Sequence, residues 1–118
     1  MFAFLYSLVP LWLRPTRILA MRENSQRWKK LRREHLLKEP VCQACGRNGE
    51  LEVHHIIPVS FDARRQFDPE NLITLCAAPC HLTFGHLMCY HCYNKDVRKM
   101  AAEFRRAIAK RRCLQRFK

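Results

Sequence analysis

The side chains of this chain best suited to chemistry are histidines and cysteines gathered into one stretch. His54 and His55 adjoin in Val53-His54-His55-Ile56-Ile57-Pro58, with Cys42-Gln43-Ala44-Cys45 before them and Cys76-Ala77-Ala78-Pro79-Cys80-His81 after them. A Cys-x-x-Cys pair lets two thiolates reach one tetrahedral ion, and neutral imidazole is a good transition-metal ligand. One cysteine pair on each side of a histidine-rich strand implies two metal centres with separate tasks. One would knit a small fold together, and the other would sit where phosphodiester chemistry could occur.

The chain has seven cysteines, so complete disulfide pairing would leave one thiol over, and a reducing, cytoplasmic setting is the better expectation. Cys42, Cys45, Cys76 and Cys80 form the favoured zinc set because they bracket the strand. The second pair has one residue more between its cysteines than the first, and Pro79 must choose the turn. Cys89-Tyr90-His91-Cys92 is a rival knuckle, with Cys113 farther along. It could replace Cys76 and Cys80, build a second site, or contribute only buried thiols.

Lys and Arg number 22 against 10 Asp and Glu, a formal charge of +12. Dense basic runs at residues 27–33 and 98–118 suit a polyanion. Nucleic acid is the commonest one, and acidic lipid is the other candidate. Residues 1–13 are mainly apolar, with Phe2, Phe4, Tyr6 and Trp12, but Pro10 interrupts them. They fall short of the roughly 20 residues of a spanning helix. No positive charge precedes them, which gives a secretory signal little support. At 118 residues one domain is expected, spanning 24–118 behind an apolar extension at 1–23.

Several elements must position these groups. The pattern predicts a helix from near Asn24 or Ser25 that stops before Pro40, with Trp28, Leu31, His35 and Leu36 as its apolar stripe. Leu51 to Val59 reads as a hairpin strand, on which His54 and His55 would leave opposite faces. A polar connection from Ser60 to Pro69 leads to a structured return at Asn71–Leu75. His81 should open a helical turn that presents it to His54. A last helix, from about Asp96 to Arg112, has Val97, Met100 or Ala101, Phe104 and Ile108 on one side and a basic remainder.

From about residue 27 to residue 88 the chain resembles the HNH endonuclease family, in its branch that carries a zinc knuckle. The likeness begins at Arg27-Trp28-Lys29-Lys30-Leu31-Arg32 and runs through Pro40-Val41-Cys42-Gln43-Ala44-Cys45-Gly46. It is strongest at Val53–Pro58, at Asn71-Leu72-Ile73-Thr74-Leu75-Cys76 and at Cys80-His81. The resemblance implies an α+β chain built on a small beta-beta-alpha metal fold, with a structural Zn²⁺ and flanking helices. It also implies a metal-dependent endonuclease that hydrolyses DNA to leave 5′-phosphate ends, nicking one strand or cutting both, with RNA as an alternative polyanion. By position, His55 would activate water, His54 and His81 would bind the catalytic divalent ion, and Asn71 would order the loop around His55.

Two departures stand out. Many members have Asp where this chain has His54, so Zn²⁺, Mn²⁺ or Ni²⁺ is expected ahead of Mg²⁺ as the catalytic ion. The three-residue gap between Cys76 and Cys80 replaces a commoner two-residue gap. His86, in Phe84-Gly85-His86, is an auxiliary candidate for phosphate or metal, with helix capping as its alternative. Arg64, Arg65, Arg98 and Arg105 are candidates for holding the nucleic-acid backbone. The competing function is a noncatalytic zinc-containing module that only binds nucleic acid.

Overall fold

A computed structural model describes residues 14–117, with side chains from residue 24 onward. Residues 1–13 of the expected apolar extension lie outside the described residues. The order is α1 (Arg14–Lys38), β1 (Leu51–His55), β2 (Leu72–Cys76), a π-helical turn (His81–Gly85) and α2 (Val97–Gln115). The chain divides at Lys30–Leu31 into two units, and the second holds every residue of the site. No helix among the described residues is long and apolar enough to cross a membrane.

α1 starts well before the expected Asn24. Pro15 falls in its first turn, where a missing N–H costs nothing, and Ile18-Leu19-Ala20-Met21-Arg22-Glu23 contains good helix formers. Asn24 and Ser25 are therefore interior residues rather than caps. The helix ends at Lys38, before Pro40, as the pattern required.

β1 and β2 pair antiparallel, with Leu51 opposite Cys76, His54 opposite Ile73 and His55 opposite Leu72. β1 is shorter than the expected Leu51–Val59, because the N–H groups of Ile56 and Ile57 turn to the main-chain and side-chain oxygens of Asn71, each at 2.8 Å. The connection is braced by two short turns, at Ala63–Arg65 and Pro69–Asn71. Asp62 and Asp68 accept from the Arg64 and Glu70 N–H groups at 3.1 and 3.0 Å.

Every residue of β2 is buried. The core contains Ile73, Leu75, Val97 and Ala101 together with Cys42, Ala44, Cys76 and Cys80. Few large apolar side chains are fully enclosed, and cysteines fill much of the rest, a composition in which a metal staple commonly completes a small fold.

The edge of β2 away from β1 is closed by side chains and one loop. Glu39 Oε2 accepts from the Thr74 N–H at 3.2 Å, Gln43 donates its N–H to the Thr74 carbonyl at 2.9 Å, and Arg98 donates to the Leu72 carbonyl. Arg98 also donates to Glu39 Oε1 at 2.6 Å, so one carboxylate joins the end of α1, β2 and α2. Val97 and Ala101 anchor α2, while Phe104 rests on Phe84 with ring centroids 5.0 Å apart. Beyond Ile108 the described residues of α2 are exposed.

Candidate metal centres

The cysteine centre is built by three local structures. Cys42 and Cys45 lie on a tight turn closed by the Gly46 N–H donating to the Cys42 carbonyl at 2.9 Å. Gly46 has a φ of 80°, a conformation that glycine adopts without a Cβ clash. Cys76 ends β2, and Cys80 immediately precedes the π-helical turn. Their four sulfurs lie within 4.8 Å of one another, and the Cys45 and Cys76 sulfurs are 3.8 Å apart. A zinc ion with bonds of about 2.3 Å sits in a sulfur tetrahedron with edges of about 3.8 Å, so the donor set fits that ion.

The electrostatics agree with this fit. Burial would raise the Cys42 thiol, but N–H groups from Cys45, Cys76 and Ala44 win and bring it down to about 7. Burial pushes Cys45 and Cys80 up, reinforced by neighbouring thiols and negative charge at Cys42. One thiolate is favoured and further ones are opposed, and a dication among them removes that opposition. Cys89 and Cys92 lie outside this tetrad.

The second centre is a histidine cluster. His54, on β1, is buried, and its Nδ1 lies 3.1 Å from His81 Nε2. His86 completes the group, with one nitrogen from each residue lying within 4.8 Å of the others. Its ring centroid is 4.9 Å from that of His54 and 5.0 Å from that of His81. Residues five apart on an α-helix point about 140° away from each other at 3.6 residues per turn. The wider π-helical turn brings His81 and His86 back to one side.

Outer hydrogen bonds select the inward nitrogens. His81 Nδ1 donates to Glu52 Oε2 at 2.6 Å, and His86 Nδ1 donates to the Cys92 carbonyl at 2.8 Å, leaving each Nε2 lone pair for the cluster. Burial, followed by the charges of His81, His86 and His55, depresses His54 to about 3. Burial also lowers His81, with Glu52 opposing it. Neutral imidazoles are the metal-binding form, and His54 turns Nδ1 toward the inward nitrogen of His81 while its Nε2 lies against Gly85. Three converging imidazoles fit a transition metal better than Mg²⁺.

His55 shares the cleft, a cavity of about 270 Å³ whose lining includes Val53, His54, His55, Pro58, His81 and His86. Its Nε2 lies 2.9 Å from the Gln66 carbonyl, which must accept, so Nδ1 is left as the basic atom. Asn71 is buried and holds the loop carrying that carbonyl. Its Oδ1 accepts from the Ile57 N–H at 2.8 Å, and its Nδ2 donates to the Ile57 and Arg65 carbonyls at 2.9 and 3.2 Å.

Two supporting residues escaped the sequence reading. Glu52 precedes His54 by two positions and so shares its face of β1, a period-two signal that could have found it. Gly85 packs on the His54 ring, where an added Cβ would come within 3.2 Å of Cε1 and Nε2. Of the four candidate arginines only Arg98 and Arg105 share a cavity, and none lines the histidine cleft. Arg98 is engaged by Glu39 and Leu72, Arg64 pairs with Asp62 at 3.0 Å, Arg65 lies 3.4 Å from Asp68, and Arg105 faces a cavity beside the zinc knuckle.

A family model described as HNH endonuclease matches residues 42–87. No curated protein and no solved structure matches the chain. The matched segment opens at the first cysteine of the tetrad and closes one residue beyond His86. Fold, ligand clusters and family pattern thus coincide over one stretch, and residues 42–87 are an HNH endonuclease domain of the beta-beta-alpha metal type.

Proposed function

We propose that this chain is a metal-dependent endonuclease that hydrolyses DNA phosphodiester bonds and leaves 5′-phosphate ends. The observation that carries this reading is the convergence of His54, His81 and His86 in the cleft that also holds His55. In it, Zn²⁺ is the structural ion of Cys42, Cys45, Cys76 and Cys80, and the three histidines hold Zn²⁺, Mn²⁺ or Ni²⁺ in preference to Mg²⁺. The ion held there would supply positive charge to the phosphate and the departing 3′ oxygen.

The protein's own part begins at His55. With Nε2 donating to Gln66, Nδ1 can take a proton from the attacking water and hand it to solvent. Asn71 positions that imidazole by tying Ile57 and Arg65 together, and Glu52 keeps His81 turned inward. Basic side chains hold the backbone without reading bases. An odd number of cysteines, four of them converging as a zinc-type tetrad, supports a cytoplasmic location.

Supercoiled plasmid incubated with the purified chain and separate additions of Mg²⁺, Mn²⁺, Ni²⁺ or Zn²⁺ tests the reading. Nicking or linearisation should require added metal, stop with EDTA and disappear in a folded His55→Ala variant. Retained binding without cleavage under any metal would identify a noncatalytic nucleic-acid module instead. Cleavage that persists in the variant would reject His55 as the base.

A further inference from the structure

Away from the histidines, α2 and the zinc knuckle enclose a cavity of about 270 Å³ lined by Arg47, Arg105 and Arg112, with Cys45, Gly46 and Ala109 among the other walls. A second cavity of about 460 Å³ shares Arg105 and Ala109 and adds Gln43, Arg98 and Arg106. Together they form one trough. Among the described residues no carboxylate lines either part, and Glu103, the one acidic residue of α2, lies outside both. Arg98 is answered by Glu39, whereas Arg47, Arg105 and Arg112 line the first cavity with no acid among the described residues of its wall.

Like charges held around one concavity repel, and a bound anion reverses that sign. Guanidinium is the side chain suited to it, because its planar fork can donate two parallel hydrogen bonds to one phosphate. The position is also informative. β1 runs from Leu51, paired with Cys76 of the tetrad, to His55 in the cleft. Its length is about 14 Å at 3.4 Å per residue, on the order of four base-pair rises of DNA.

We infer that this arginine trough is a phosphate seat for the sugar-phosphate backbone of duplex DNA, several base pairs from the bond presented to the histidines. The choice of DNA rests on the endonuclease reading; the presence of an anion seat rests on the trough itself. The seat adds affinity independent of base sequence, and it acts on substrates long enough to reach from cleft to knuckle.

The test measures equilibrium binding of a mixed-sequence 30-base-pair duplex to the full chain in a His55→Ala background, by anisotropy over a series of salt concentrations. Replacing Arg47, Arg105 and Arg112 together by Gln should weaken binding at least about tenfold. It should also flatten the slope of log affinity against log salt by up to about 2.7, at about 0.9 for each phosphate no longer neutralised. The corresponding triple Lys variant should keep most of the slope. Zinc content and circular dichroism control for folding, and an Arg105→Gln, Arg112→Gln pair avoids the knuckle if Arg47 proves necessary for it. A Gln variant matching its parent in slope and affinity overturns the seat, even if the wild type cleaves. A parent that binds no duplex overturns it too, whereas trough-dependent binding by a wild-type chain that never cleaves leaves the seat standing and removes the endonuclease reading.

Discussion

Glu52 Oε2 lies 2.6 Å from His81 Nδ1, and the opposite nitrogen of the same ring lies 3.1 Å from His54 Nδ1. The carboxylate therefore determines which nitrogen of His81 can meet an ion. Glu52→Ala should lower affinity at the histidine cluster by about 10–100-fold, and Glu52→Gln by less, because an amide oxygen can still accept. Calorimetric titration of zinc-loaded protein with Ni²⁺ or Mn²⁺ measures this, and equal affinities in all three proteins would deny Glu52 the role.

Gly85 leaves space that the His54 ring fills, so a methyl group there must displace one or the other. Gly85→Ala should cost about 1–3 kcal/mol in denaturant unfolding, the range for an overpacked site. It should also weaken metal binding at the histidines while leaving zinc in the tetrad. A variant as stable as the parent, with unchanged affinity, would show that the ring has room to move.

Glu39 gives acid sensitivity a defined sign. Burial opposes its ionisation, but hydrogen bonds with His35 and Arg98 and from the Thr74 N–H, together with the Arg98 charge, prevail and lower the carboxyl from 4.5 to about 2. A carboxyl depressed by folding contributes stability above its unfolded value, here about 4.5, and loses it as pH falls toward 2. At 1.36 kcal/mol per pH unit the contribution is at most roughly 3 kcal/mol. Urea unfolding between pH 7 and pH 3 should show a larger loss for wild type than for Glu39→Gln, and identical losses would show that the carboxylate adds nothing.

Zinc should be retained through dialysis and lost on Cys76→Ser substitution, with loss of cooperative unfolding, because ion binding and folding of a small core are coupled. The double variant Cys89→Ser, Cys92→Ser should keep its zinc. Zinc loss in the double variant, with retention in Cys76→Ser, would transfer the structural site to the rival knuckle.

The legible parts of this molecule were those governed by short-range rules. Cys42-x-x-Cys45 announces a ligand pair because two thiols so close can serve one ion, and a run rich in branched residues behind Gly49 marks β1, whereas β2 reads only as a structured return. The α+β core was readable from these signals and the family likeness. The start of α1 was not, since Asn24 and Ser25 carry capping side chains that a helix already under way can tolerate. His86 reads only as an auxiliary candidate for phosphate or metal, with capping as its alternative; a five-residue interval from His81 is out of phase with an α-helix, and the π-helical turn restores it. Arg98 could not be told from its basic neighbours, as charge alone does not reveal a partner as distant in sequence as Glu39.

Cys80 and His81 are consecutive, so one peptide unit joins the sulfur tetrad to the imidazole cluster. Closing the tetrad around zinc would therefore also fix the start of the turn that carries His81 toward His54. On the proposed function, an ion at the cysteines thus prepares the seat of the one at the histidines, and stripping the first should weaken binding of the second.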